Sequence, residues 1–230
     1  MLNNVLKIIV IFVLGMAGGI FADQIFWPYF VERPLFYQYR LDNPPIYVAE
    51  TKEITITENI ALQEAILKVE KAVVGVRTQT TTGRIIEGSG LIATSDGLMV
   101  TLAELVPAGS TFTFFVEGKP LSYQVLKRDP ENNLTLIKLE GANFTTVGFA
   151  DFAQLRIGER VFLLGVGVVN EGIVRSFDEN SIQTNISEEP RLSGSPLFNI
   201  EGKALGLTTI DRQGMVSAIP ISLIRAFLGL

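Results

Sequence analysis

Gly88-Ser-Gly-Leu-Ile-Ala-Thr-Ser-Asp-Gly-Leu-Met-Val-Thr101 is two apolar runs broken by one polar turn. Ser95-Asp-Gly97 supplies the residue types that reverse a chain, and the runs on either side are too short for helices. The reading is a strand over 85–94, a turn, and a strand over 98–101. The same pattern continues in both directions. Upstream, Ala72-Val-Val-Gly-Val-Arg-Thr78 is apolar and β-branched. Downstream, strand-like runs recur at 111–116, 121–126, 134–139, 160–164, 172–177, 181–184, 197–199, 204–210 and 215–219. Glu117-Gly118, Asp129-Pro130, Glu201-Gly202 and Gln213-Gly214 punctuate them. About a dozen short strands spaced roughly ten residues apart mean an all-β sandwich or a pair of barrels. Two flanking helices are expected. Residues 57–71 form the first, capped by Thr57, with Ile60, Ala61, Ala65, Ile66 and Val69 on its apolar face. Residues 221–230 form the second.

Composition narrows the function. The chain has 230 residues, 47% of them hydrophobic, and a net charge of −5. Disorder is excluded, and a nucleic-acid partner is not expected, because a phosphate-binding face needs clustered Lys and Arg. There is no Cys, so no disulfide framework or thiolate metal site. There is also no His. That removes the imidazole as general base, proton shuttle or metal ligand. Asp and Glu are scattered without calcium-loop spacing, so no metal or cofactor is expected. The N-x-S/T patterns at Asn133, Asn143 and Asn185 are short enough to be chance.

The N-terminus is of a different kind. Ile8 to Ala22 is 15 residues without a charge. With Val5, Leu6 and the stem of Lys7 it reaches about 18 residues, within the range of a membrane span. Trp27, Tyr29 and Phe30 follow at the depth of an interfacial aromatic belt. Gly19-Ile-Phe-Ala-Asp-Gln24 matches a signal-peptidase site poorly, so an uncleaved anchor is the better reading. Gly15 and Gly19 form a helix-pairing G-x-x-x-G, which makes homo-oligomerisation one partner to consider. The expected organisation is an anchor over 1–27, a Pro-punctuated linker over 28–56 with a short strand at Ile54-Thr-Ile56, and a globular domain over 57–230. The domain is expected outside a bacterial cytoplasmic membrane, crossed once.

Several segments taken in order resemble one family. Gly88 to Thr101, Asp129-Pro-Glu-Asn-Asn-Leu-Thr-Leu-Ile-Lys138, Ile157-Gly-Glu-Arg-Val-Phe-Leu-Leu-Gly165, Glu171-Gly-Ile-Val-Arg-Ser176, Ile182-Gln-Thr-Asn185, Ser193-Gly-Ser-Pro-Leu-Phe-Asn199 and Ala218-Ile-Pro220 resemble trypsin-like serine proteases of the HtrA/Deg type. The likeness runs from about Val69 to Leu230. It implies an all-β fold of two six-stranded antiparallel barrels with a cleft between them, behind one N-terminal membrane helix. No peptide-binding PDZ domain is expected after Leu230.

The resemblance also places the catalytic positions. The family's serine lies in a pattern like G-N-S-G-G-P, which here is Arg191-Leu-Ser-Gly-Ser-Pro196, so Ser193 takes the nucleophile position. The histidine follows a T-N-x-H pattern, here Thr101-Leu-Ala-Glu104, so Glu104 stands there. The aspartate opens a D-L-A-x-L-K strand, here Asn133-Leu-Thr-Leu-Ile-Lys138, so Asn133 stands there. The oxyanion hole of the family uses the N–H of the serine and of a glycine two residues earlier; that glycine is Arg191 here. A serine hydroxyl needs a base to become a nucleophile. A carboxyl near its ordinary pKa of about 4.3 is a poor one, and Asn133 brings no charge to steady a cation. Removing the histidine of a serine protease costs on the order of 10⁶ in turnover.

The expectation is therefore a membrane-anchored pseudoprotease that acts by binding an extended peptide or an envelope protein, with hydrolysis left open. Two alternatives remain: a serine endopeptidase using Ser193 with Glu104 as base, and a structural subunit of a membrane assembly. Ser193 on its own would read as a turn serine. Glu104 reads as a surface carboxylate or a partner for Arg191. Lys138 as the base of a Ser–Lys pair is the least favoured option, because it lies within a strand.

Overall fold

The computed structural model describes residues 2–24 and 58–230. The expected aromatic belt at Trp27 to Phe30, the linker over 28–56, the Ile54–Ile56 strand and the Thr57 cap lie outside the described residues.

Helix α1 covers Leu2–Phe21. Within the stretch Asn3–Gln24 an 18-residue window has a mean hydropathy of 2.5, and the whole stretch is 22 residues long. At 1.5 Å per residue that is about 33 Å, enough to cross a hydrocarbon core of about 30 Å.

The second unit begins with helix α2, Glu58–Val69, and one 3-10 turn over Glu70–Ala72. Its buried face is not quite the expected one. Ile60 is 49% exposed, whereas Ala65 and Val69 are buried and Leu62 and Ile66 pack against the core. Leu62, Ala65, Ile66 and Val69 follow the i, i+3, i+4, i+7 spacing of one helical stripe. Ile60 and Ala61 belong to the neighbouring face.

Thirteen strands follow. The first sheet contains β1 (Val73–Gln79), β2 (Ile85–Ile92), β3 (Leu98–Leu102), β4 (Thr111–Val116), β5 (Lys119–Leu121), β6 (Tyr123–Asp129) and β7 (Leu134–Leu139). Their order is β5-β4-β1-β2-β3-β7-β6. Six strands were expected here and seven are present, because Ser122 interrupts one long segment. Before Ser122 that segment pairs with β4, through Phe114 and Leu121; after it, with β7, through Tyr123 and Leu139. The two edges of the sheet are thus joined by the chain itself. Counted as one bent strand, residues 119–129 restore six.

The second sheet is a closed six-stranded barrel. It holds β8 (Arg160–Gly165), β9 (Val168–Phe177), β10 (Ile182–Ser187), β11 (Pro196–Asn199), β12 (Ala204–Ile210) and β13 (Met215–Pro220), ordered β10-β13-β12-β11-β8-β9. β10 alternates strictly between buried and exposed residues, the period of a strand with one face inward.

Each barrel has its own apolar core. Val74, Ile92, Phe114, Leu134 and Ile137 lie in the first, and Leu163, Val174, Ile182, Leu197 and Leu205 in the second. Phe162 and Phe198 leave the second barrel and join the first core, with their rings 5.3 Å apart. The closing helix α3, Ile221–Leu228, does the same with Ile221, Ile224 and Phe227. The Lys127 ammonium sits 4.5 Å over the Phe227 ring. Gly229, at φ +79°, ends the helix in the left-handed conformation.

Candidate functional site

The barrels meet where β2 touches the loop before β11. Ser89 N–H donates to the Ser193 carbonyl at 3.0 Å, and Thr101 Oγ1 donates to the Ser89 carbonyl at 2.6 Å. The contact is so close that side chains would block it. A Cβ on Gly88 would lie 2.4 Å from Leu105 Cδ1 and 2.7 Å from the Ser193 oxygen. One on Gly194, which sits at φ +79°, would lie 2.3 Å from the Ser89 oxygen. These two glycines give the Gly-Ser-Gly and Ser-Gly-Ser patterns their physical meaning.

Ser193 follows a single 3-10 turn, Pro190–Leu192, and is 5% exposed. Both of its hydrogen bonds are made by its backbone. Its carbonyl accepts from Ser89, and its N–H donates to the Pro190 carbonyl at 3.0 Å. Leu192 N–H is engaged in the same way, by the Glu189 carbonyl at 3.0 Å. An amide that closes such a turn is not aimed at a ligand. On the far side, Gly194 N–H donates to the Thr208 carbonyl at 2.7 Å, and Thr208 N–H donates to the Ser195 carbonyl at 2.8 Å. The loop is therefore fastened to β12 at one end and to β2 at the other. Arg191 points into solvent and pairs with Glu189, Nε to Oε2 at 2.7 Å.

Glu104 lies in another single 3-10 turn, Ala103–Leu105, and its side chain is exposed. It is not a partner for Arg191. The structure does bring Glu104 and Asn133 together, through the backbone. Asn133 Oδ1 accepts the Glu104 N–H at 3.0 Å, and the Asn133 carbonyl accepts the Ala103 N–H at 3.0 Å. Asn133 adopts φ +53°, a left-handed conformation that Asn tolerates better than most residues. The loop ahead of it is held by Asp129, whose carboxylate accepts from Asn132 Nδ2 at 2.8 Å and from Asn132 N at 3.1 Å. Those two donors, side chain first, hold the Asp129 carboxyl below its ordinary value. Thr78 Oγ1 donates to the buried Leu105 carbonyl at 2.5 Å and ties the Glu104 turn to β1. Leu105 itself fills the space between Gly88 and Gly194.

Lys138 is committed elsewhere. Its ammonium contacts Asp96 Oδ2 at 2.5 Å at the Ser95–Gly97 turn, which lowers the Asp96 pKa together with the Thr94 hydroxyl. Nothing there points to Ser193. The reading of the sequence missed Thr78 and Leu105. Thr78, at the end of the 72–78 run, was the one available signal.

Beside the Ser193 loop the surface is concave. A groove of about 340 Å³ is lined by Arg77, Glu87, Ser89, Phe115, Val166 and Leu192, among others. It shares Arg77, Glu87 and Arg191 with a second hollow that reaches Arg84. It shares Phe115, Gly118 and Val166 with a third of about 420 Å³, edged by Val73, Leu164 and Val168. β2 borders this trough. β3 pairs with β2 only from Gly90 onward, so among the described residues Ile85–Gly88 has a strand on one side only, β1. Since Ser89 N–H points away from β1, alternation turns the backbone groups of Glu87 and Ile85 the same way.

Known proteins match this architecture. The Trypsin-like peptidase domain profile covers residues 88–207, just over half of the 230. A probable periplasmic serine endoprotease, DegP-like, from Rhizobium meliloti strain 1021 is 31% identical over 157 residues, 59% of this chain and 31% of that protein. The one from Chlamydia muridarum is 30% identical over 145 residues, 56% of this chain and 29% of that protein. The chain thus spans about a third of the length of the curated relatives it matches. Among solved structures, an HtrA-type protease, AlgW with tripeptide, superposes with a TM-score of 0.66 at 22% identity. It covers 73% of this chain, and this chain covers 62% of it; that likeness concerns the fold. With a match that starts at the Gly88 strand and runs through the Ser193 loop into β12, the chain belongs to the trypsin-like peptidase domain family.

Proposed function

We propose that the chain is a non-hydrolytic member of this family that binds extended peptide, held by α1 at the outer face of a bacterial cytoplasmic membrane. Ser193, Glu104, Asn133 and Arg191 are on this reading the remains of nucleophile, base, orienting acid and oxyanion glycine. The observation that carries it is the Ser193 amide, which donates to Pro190, in a chain with no histidine. A hydrolase would need that amide for the oxyanion and a base for the hydroxyl. The exposed Glu104 side chain and the commitment of Lys138 to Asp96 support the same conclusion. For binding, the one-sided Ile85–Gly88 edge and the trough beside it suit a peptide added as a strand.

The test is a serine-reactive fluorophosphonate probe and a casein substrate, applied to the full chain in detergent, with Ser193→Ala as control. The expected result is neither labelling nor cleavage by folded protein. Labelling and cleavage that both vanish in Ser193→Ala would establish the serine endopeptidase instead, and Glu104→Gln would then test the base.

A further inference from the structure

We infer that the peptide this trough accepts is acidic at one end and apolar at the other. The inference rests on the peptide-binding reading above and adds the chemistry of the occupant. Three guanidinium groups, from Arg77, Arg84 and Arg191, line the end of the trough beside Ile85–Glu87, and Glu87 is the one carboxylate lining it. This happens in a chain whose net charge is −5. The arginines come from separate places: β1, the turn before β2, and the Ser193 loop. None of the three is fully committed. Arg84 has no ion pair among the described residues. Arg77 Nε stands 4.0 Å from Glu87 Oε1, at the outer limit of a pair, with both side chains 55% exposed. Arg191 is held by Glu189 through Nε, which leaves its other donors for a second acceptor.

Guanidinium forks match carboxylates in geometry as well as in charge. A strand laid along Ile85–Gly88 would place alternate side chains over the trough. Its carboxylates would meet the arginines at the Arg84 end. Farther along, its apolar side chains would meet Phe115 and Val166, then Val73 and Leu164. The arginine-lined and mainly apolar halves are continuous, because Arg77 and Phe115 line the same central groove; at the far end Glu70 and the Lys71–Glu117 pair, 3.5 Å apart, edge the apolar floor.

The experiment uses the full chain in nanodiscs of zwitterionic lipid, with empty nanodiscs as blank, and fluorescence anisotropy as readout. The probes are two fluorescein-labelled octapeptides, Asp-Val-Asp-Val-Phe-Val-Leu-Val and the same peptide with Lys in place of Asp. The acidic peptide is expected to bind about tenfold more tightly than the basic one. That preference is expected to shrink as salt rises from about 0.05 M to about 0.5 M. It should disappear or reverse in Arg77→Glu, Arg84→Glu, Arg191→Glu, three exposed substitutions that leave the cores alone. Equal binding of the two peptides would overturn the charge preference and leave the peptide reading standing. A preference that survives charge reversal would overturn the placement at this trough. No binding of either peptide to folded protein would overturn both.

Discussion

The two turns that face each other across the barrel junction differ in what they have kept. The Ala103–Leu105 turn of the first barrel and the Pro190–Leu192 turn of the second are both single 3-10 turns, both tied down by buried threonines. Thr78 holds one through Leu105, and Thr208 holds the other through Leu192 and Ser195. The first turn still approaches its expected neighbour, since Asn133 caps the Glu104 N–H. What it lacks is an imidazole: the position carries Glu104, and the chain has no histidine. The second turn keeps the serine and turns its amide inward. On the proposed non-hydrolytic reading, backbone scaffolding and chemistry are separable, because the ties that hold the two turns run through Thr78 and Thr208 and not through the nucleophile or base positions.

The sharpest way to break this comparison is to return the side chains to both turns at once. Glu104→His with Asn133→Asp and Arg191→Gly is expected to raise Ser193-dependent fluorophosphonate labelling on the order of 10³-fold. Glu104→His with Asn133→Asp alone should gain far less, because the Ser193 amide would still be bound to Pro190. Equal gains from the two variants would mean that the second turn is not a block. The scaffolding itself is tested by Gly194→Ala. With φ at +79° and a Ser89 oxygen 2.3 Å from the new Cβ, it should lose about 3 kcal/mol or more in denaturant unfolding. A loss below about 1 kcal/mol would show that the junction yields easily. Thr78→Val removes the donor to a buried carbonyl and should cost about 1–3 kcal/mol. No cost would mean that the first turn holds without its tie.

The smallest effect concerns pH. Asp129 titrates below its ordinary 3.8 in the folded chain. A depressed carboxylate stabilises the fold above that value, and the contribution is lost as the pH falls through the folded pKa. Asp129→Ala should thus lower the melting temperature slightly at pH 7, with the difference fading at acid pH below 3.8. A difference that persists in acid would assign the role of Asp129 to packing rather than charge.

Much of the architecture is written in local pattern. The strands at 111–116, 134–139 and 204–210 fall at their expected residues, because β-branched runs between turn residues are a local signal. The bend at Ser122 was not legible, since nothing at that position marks a change of partner between β4 and β7. The buried face of α2 was displaced by a residue or two because Ile60 is apolar yet lies off the stripe. The sequence offered candidate positions for the site, not their geometry. Glu104 and Asn133 are 29 residues apart, and only the folded chain shows which atom of one meets which atom of the other. The inward amide of Ser193 has no sequence signature beyond Pro190 ahead of it. Arg77 and Arg84 belong to one hairpin, seven residues apart, and Arg191, more than a hundred residues later, joins them only in space.

The reach of α3 across to the first core also fixes an order of events in time. Lys127 Nζ and the Phe227 carbonyl lie 3.5 Å apart and are 100 residues apart in the chain. Ile221, Ile224 and Phe227 are part of a core whose strands begin at Val73. A chain delivered amino end first cannot finish that core until its last turn of helix arrives. At about 5–20 residues per second, the wait after Lys127 is roughly 5–20 s. Through that interval the apolar bed of α3 is uncovered, and a chaperone or a protease on the delivery side has its opportunity before the barrel seals.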